Sequence, residues 1–407
     1  MRAMDSAQIL LQQLPTTLRS LRIAIVTETF PPEVNGVAMT IGRMVAGLQS
    51  RQHQVQLVRP RQNRDDNAAN RPNFEEVLKP GVPIPRYDSL KMGLPAKRAL
   101  VRLWSLKRPD IVHIVTEGPL GWSALAAALK LKLPVSTDFH TNFHTYSKHY
   151  GIGWLNKPIA AYLRKFHNRA LCTMVPTEGM RSELEELGMK NLRVVARGVD
   201  TALFSPRRRS SQLRGSWGAG NNDLIALYVG RIAPEKNLPL VLRAAEAMRQ
   251  VNPRLRLVLV GDGPDRTALQ ARYPAHVFAG MRTGDDLAAN FASGDIFLFP
   301  STTETYGNVT MEAMASGLAV VAYDYGAAAK HIRHGTSGLL ARFDDAEEFT
   351  HLAAGLADDQ GRVKHLGVNA RSVTEKLDWS WIVREFEAAL LELAANGHKH
   401  EPAGLSA

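Results

Sequence analysis

A single cysteine, Cys172, occurs in 407 residues. Nothing inside the chain can pair with it, and no cysteine cluster is available for a structural zinc, which fits a reducing compartment. No apolar run reaches the roughly 18 residues that a membrane-spanning helix needs. The first residues, "MRAMDSAQILLQQLPTTLRS", place Gln8, Gln12 and Gln13 where a secretory signal would have a continuous apolar core. Residues 1–20 therefore read as a leader, either a short amphipathic helix or disordered, and the chain is expected to stay in the cytoplasm. Also missing are a GxGxxG fingerprint, zinc-ligand spacings, an RNP-like segment and a basic helix with heptads. These absences speak against a dinucleotide site and against nucleic acid as a partner.

What is present points to two cores. A chain of this length with 45% hydrophobic residues exceeds what one core organises, and two domains of roughly 150 to 200 residues are expected. The net charge of +11 is uneven: residues 1–200 hold 28 Lys and Arg against 16 Asp and Glu, a net of +12, so the rest is close to neutral at −1. A basic half facing a neutral half suits an anionic membrane surface, although the same excess also serves solubility.

The segment "LRIAIVTETF" (21–30) is a short apolar strand, followed by a Pro-Pro turn and a helix-period run with Val37, Ile41, Met44, Val45 and Leu48. "HQVQLVRP", "DIVHIV" and "LPVSTDFH" continue the alternation with helical stretches such as "GWSALAAALKL". The pattern restarts after the proline-punctuated "RGVDTALFSPRRRS" (197–210), giving five more buried-strand candidates: "LIALYVGRI", "LRLVLVGDGP", "HVFAG", "DIFLFPS" and "LAVVAYD". The fold class is therefore α/β, with two tandem Rossmann-like doubly wound domains. The boundaries read as 21–200 and 201–375, with a polar tail at 395–407 expected to be disordered. Ligands in such sheets bind beyond the carboxyl ends of strands, so the loops there hold the candidates.

Gly36 lies between the first strand and its helix, where a missing side chain either lets N–H groups approach a phosphate or merely shapes the turn. In "VGRIAPEKNL" (229–238), Arg231 and Lys236 follow a strand closely enough to converge on one polyanion, with Glu235 as a competing internal partner. "LVGDGP" reads only as a tight turn. In "STTETYGNVTMEAMASG" (301–317) a helix beginning near Gly307 or Asn308 would offer the N–H groups of residues 307–310 to a phosphate. Glu304 and Glu312 would span about 12 Å on a continuous helix, beyond the roughly 5 to 9.5 Å of a glycosidase carboxyl pair. They either flank a phosphate or simply favour a helix start. "STDFHTNFHTYSKHY" (136–150) holds His140, His144 and His149, but no further ligand is evident and metal is not expected. His140, nearest the strand end, is best placed to reach a substrate between the domains.

Together these segments resemble the retaining glycosyltransferases of the group 1 family, which have the GT-B fold with an interdomain cleft. The likeness runs from about Arg22 to "LDWSWIVREFEAALLEL", and its strongest element is "PSTTETYGNVTMEAMASGLAVVA", similar to the family's E-x7-E segment. The resemblance implies that Arg231 and Lys236 bind the donor diphosphate with help from the N–H groups of Asn308 and Val309. It further implies that Glu304 bonds hydroxyls of the transferred sugar, Glu312 the nucleotide ribose, and that Met281 of "FAGMRT" meets the base. His140 matches the active-site histidine near the reacting sugar, and Gly36 the acceptor-side loop against the donor phosphates. No cofactor or metal is implied, since cations and a helix N-terminus stabilise the leaving diphosphate. The last helix, near 376–394, is expected to cross back onto the N-terminal domain.

Within the family, "TNFHTYSKHYG" and "RGVDTALFSP" most resemble bacterial enzymes that glycosylate diacylglycerol-type lipids and GDP-mannose-dependent mannosyltransferases. The expected donor is a UDP- or GDP-linked hexose and the acceptor a lipid or glycan, with an anionic membrane surface as a partner of the basic N-terminal domain. Residues 61–95 are a candidate membrane-facing or acceptor loop, with Leu90, Met92 and Leu94 for insertion. Competing readings are a GT-B epimerase or phosphorylase, or a nucleotide-sugar binder without turnover.

Overall fold

The structure, a computed structural model, describes residues 20–33, 35–84, 87–140, 156–220, 222–304 and 306–398. It contains two large sheets. Across the N-terminal sheet the strand order is Leu192–Val194, Cys172–Val175, Val135–Asp138, Ile111–Ile114, Arg22–Val26, Gln54–Pro60, Phe74–Lys79 and Asn70–Arg71. Every pairing is parallel except that of the short edge strand Asn70–Arg71. The C-terminal sheet is wholly parallel, in the order Val277–Gly280, Arg256–Val260, Ile225–Val229, Ile296–Phe299, Ala319–Tyr323 and Leu339–Ala341. Its strands read as continuous apolar runs because helices cover both faces; Ile225–Val229 and Ala319–Tyr323 are buried at every position. The five strands expected from sequence are present. The sixth, Leu339–Ala341, spans only three residues, too few for its period to stand out.

The last helix, Trp379–His398, builds itself into the N-terminal core. Its Ile382, Val383, Phe386, Ala389 and Leu390 share one apolar cluster with Ile41, Met44, Val45 and Leu48 of the first helix, Gly36–Ser50. The two helices meet so closely that a Cβ on Gly47 would stand 2.4 Å from a Val383 methyl. A polar clamp closes the same contact: buried Glu387 accepts from Arg51 Nε at 2.6 Å and meets His53 Nε2 at 2.7 Å. The crossing back is anchored where Val199 N donates to Leu377 O at 3.1 Å.

Residues 61–95 do not form a single loop. They include the strand Phe74–Lys79 and an antiparallel ribbon, Gly81–Ile84 with Tyr87–Gly93. The Leu90 side chain lies outside the described residues, Met92 is half-buried, and Leu94 is exposed. Alternating β-branched and polar residues gave a weak signal there because prolines at 80, 83 and 85 interrupt it. Among the described residues no helix is long and apolar enough to cross a membrane.

Candidate active site

In the C-terminal sheet the strand order reverses around Ile225–Val229, which has Arg256–Val260 on one side and Ile296–Phe299 on the other. The loops leaving Ile225–Val229 and Ile296–Phe299 therefore diverge and leave a crevice. The first loop carries Arg231 and, in the 3-10 turn Pro234–Lys236, Lys236. Arg231 Nη1 lies 3.5 Å from Oε1 of the fully buried Glu235. The second loop carries Glu304, whose Oε1 pairs with Lys236 Nζ and accepts from Ser301 Oγ at 2.8 Å. Lys236 and Glu304 thus form one unit, each setting the other's position.

The helix Asn308–Ala315 starts at the end of this second loop. Gly307 takes a left-handed conformation, φ 94°, which glycine adopts without strain, and no side chain caps the helix. Among the described residues nothing accepts from the N–H groups of Asn308 or Val309. The Thr310 N–H is already bonded to Gly307 O at 3.0 Å, so one of the four donors expected from sequence is spent on tightening the first turn. Across the cleft stands the start of the first helix: Asn308 Nδ2 lies 3.5 Å from Gly36 O and 3.4 Å from Thr40 Oγ1. The starts of two helices, one from each domain, thus come into contact, and Glu304 with its partner Lys236 lies next to Gly307. Glu312 sits one turn into its helix; burial pushes its carboxyl up to about 7. Met281 follows the strand Val277–Gly280, two strands out along the same edge, and is 54% exposed.

On the N-terminal side, His140 follows the strand Val135–Asp138 and is buried. Its Nε2 is 2.8 Å from Asp138 Oδ2 and its Nδ1 is 2.7 Å from Arg197 Nη2. Burial and the Arg197 guanidinium hold the imidazole down to about 4, so it is neutral at working pH. Burial alone would raise Asp138, yet the His113 and His140 imidazoles hold it well below the usual carboxylate range. His144 and His149 lie outside the described residues. Sequence reasoning did not single out Asp138, Arg197 or Tyr306, nor the buried carboxyls of Glu28 and Glu117 at the N-terminal switch point. Arg197 opens the "RGVD" motif, but its residue type alone points equally to a solvated loop charge. Among the described residues no three His, Cys, Asp or Glu side chains cluster as metal ligands.

Residues 34–203 match the family described as Glycosyltransferase Family 4, and residues 223–359 match Glycosyl transferases group 1. A GDP-mannose-dependent alpha-mannosyltransferase of Corynebacterium glutamicum is 32% identical over 350 residues, covering 85% of this chain and 82% of the relative. The chain belongs to the group 1 glycosyltransferases. It is 27% identical over 317 residues to an alpha-monoglucosyldiacylglycerol synthase of Streptococcus pneumoniae, covering 74% of this chain and 71% of that one. The sucrose-phosphate synthase of Thermosynechococcus elongatus superposes with a TM-score of 0.75 at 18% identity, over 92% of this chain and 100% of that structure. This likeness, with two parallel sheets, gives the group 1 enzyme the GT-B fold. As a hexosyltransferase of that family the chain is an enzyme, which sets aside a binder without turnover.

Proposed function

We propose that this group 1 glycosyltransferase moves a hexose from a UDP- or GDP-linked donor to a diacylglycerol-type lipid or a glycan, with retention of configuration and without a metal. What supports the donor side is Arg231 and Lys236 on the loop after Ile225–Val229 and, among the described residues, the unpartnered N–H groups of Asn308 and Val309 at the helix start that touches Gly36. A leaving diphosphate there meets two cations and two aligned N–H groups in a partly dry cleft, where preorganised donors count for most. Glu304, positioned by Lys236 and Ser301, bonds hydroxyls of the hexose; Glu312 bonds the ribose, and Met281 touches the base. His140 faces the transferred sugar. Attack comes from the face that the diphosphate leaves, and a phosphate oxygen accepts the acceptor's proton, so no covalent nucleophile on the enzyme is used.

A lipid acceptor is supported by the relative named for glucosyldiacylglycerol synthesis and by the basic half of the chain, net +12 over residues 1–200. Lys and Arg near anionic lipid are each worth about 1 kcal/mol, screened by salt. We place the enzyme in the cytoplasm, peripheral on the membrane face. A thermal-shift panel of UDP, GDP and ADP with their sugars, followed by transfer assays on vesicles with and without anionic lipid, tests the reading. A large shift with one nucleotide and transfer that drops in high salt is the expected result. Turnover of the sugar nucleotide with no acceptor, or only with free phosphate, would instead identify an epimerase or a phosphorylase.

A further inference from the structure

One chain of hydrogen bonds runs from the donor loop to His140 through the hinge. Tyr306, between Glu304 and Gly307, donates its hydroxyl proton to the backbone carbonyl of Arg197 at 3.0 Å and lies 3.0 Å from His331 Nε2. Arg197 stands three residues beyond the strand Leu192–Val194, where the chain leaves the N-terminal sheet. Its Nη2 reaches His140 Nδ1 at 2.7 Å. A guanidinium has protons and no lone pair, so Nδ1 must accept. The ring proton then sits on Nε2 and is donated to Asp138 Oδ2 at 2.8 Å.

Arg197 is a poor stabiliser. It is buried, burial pulls its own proton affinity down, and its Nε has no acceptor among the described residues. A buried donor left without an acceptor destabilises the fold. What the side chain does achieve is to fix one tautomer and one ring orientation of His140. We propose that Arg197 is a positioning residue for sugar transfer: it holds His140 as the Nε2–H tautomer against Asp138 and, through its carbonyl's bond to Tyr306, ties that geometry to the donor loop. This rests on the reading that His140 faces the transferred sugar, and extends it to two residues with no assigned role.

Among the described residues, the charged and titratable groups facing His140 are Asp138 on its own strand end, Arg197 where the chain leaves the N-terminal sheet, His113 from the neighbouring strand and His167 from the helix Asn156–His167. Asp138 favours the imidazolium, while Arg197 and His113 oppose it. Removing the guanidinium therefore raises the His140 titration and moves the acidic limb of activity upward.

The test uses full-length enzyme with 15N-labelled histidine, His140→Asn for assignment, and the variants Arg197→Met, Arg197→Lys and Tyr306→Phe. In the wild type His140 should show the Nε2–H form and no titration above about pH 5. In Arg197→Met it should titrate about one unit or more higher, with kcat down about tenfold or more, donor KM within about threefold, and the loss steepest at acid pH. Arg197→Lys should restore most of kcat, and Tyr306→Phe, which leaves every charge in place, should lower kcat about three- to tenfold. Identical His140 titration in wild type and Arg197→Met, or no rescue by lysine, overturns the proposal. If Arg197→Met does not fold, wild-type kcat in Tyr306→Phe at every pH overturns the tie to the donor loop. Unchanged transfer by His140→Ala would sink the sugar-facing reading instead, and the titration comparison would still decide whether Arg197 sets the ring.

Discussion

Each sheet has a switch point, and the two are filled with opposite chemistry. In the C-terminal sheet the residues beyond the diverging strands are Arg231, Lys236 and Glu304, and the N–H groups of Asn308 and Val309 at the start of the helix Asn308–Ala315 have no acceptor among the described residues. In the N-terminal sheet the matching positions, after Arg22–Val26 and Ile111–Ile114, carry Glu28 and Glu117. There the helix Pro119–Lys130 has its start covered by the protein itself: Leu120 N donates to Glu28 Oε1 at 3.1 Å, and Gly93 N donates to Oε2. One fold position thus serves two ends. Without an internal cap, the helix N-terminus is the one we propose for the donor diphosphate; closed by an internal carboxyl, it becomes a joint between the first strand, the ribbon ending at Gly93 and the helix.

The widest separation between the two sides is expected from Lys236→Met. Losing the cation removes a preorganised charge from the leaving diphosphate and releases Glu304 from its partner, so kcat should fall about 10²–10³-fold while the melting temperature stays near wild type. Transfer that survives this change would mean that the C-terminal switch point is not the donor site. On the other side, Glu28→Ala should leave two donors unmet in a buried joint and cost about 2–4 kcal/mol of stability, read by denaturant unfolding.

Glu117 sharpens the contrast with Glu28. It is 4% exposed, its Oε1 has no hydrogen-bond partner among the described residues, and burial pushes it up to about 8. A carboxyl that keeps its proton longer in the folded than in the unfolded chain stabilises the fold at low pH. That advantage is lost as pH rises from the ordinary value of 4.5 through the folded value. Glu28, pushed up to about 7 by burial, adds to the same slope. Glu117→Gln should therefore be close to wild type near pH 5 and exceed it increasingly toward pH 8, by about 1.4 kcal/mol for each unit of the raised range that the pH has passed. A wild-type stability that is flat over this window would show that Glu117 ionises normally.

The grouping of the residues proposed for the donor was legible in the sequence because it is local. Glu304, Asn308, Val309 and Glu312 fall within nine consecutive residues, and Arg231 and Lys236 share one strand-end loop, so loop and helix rules alone bring them together. The strands with continuous apolar runs were legible for the same reason. The His140 environment was not: Arg197 is 57 residues from His140 and Tyr306 is 109 from Arg197. Their meeting depends on how two domains and a hinge pack, which no local period records. The Glu28–Gly93–Leu120 joint spans 65 and 92 residues and was hidden likewise.

The smallest expected effect tests whether the two helix starts that face each other are ligand-binding or only in contact. A Cβ on Gly36 would meet Asn308 Nδ2 at 3.5 Å, an ordinary van der Waals distance, and Gly36 has no positive φ. Alanine there is thus compatible with the contact to Asn308 and with the helix, where it is favoured over glycine by about 0.5–1 kcal/mol. Gly36→Ala should leave the melting temperature unchanged or slightly raised. If a phosphate approaches the Gly36 backbone, the same methyl group stands in its way, and donor KM should rise about five- to tenfold, near 1 kcal/mol. Unchanged KM would leave Gly36 as a residue that shapes the turn, and would confine the diphosphate to Arg231, Lys236 and the Asn308 helix.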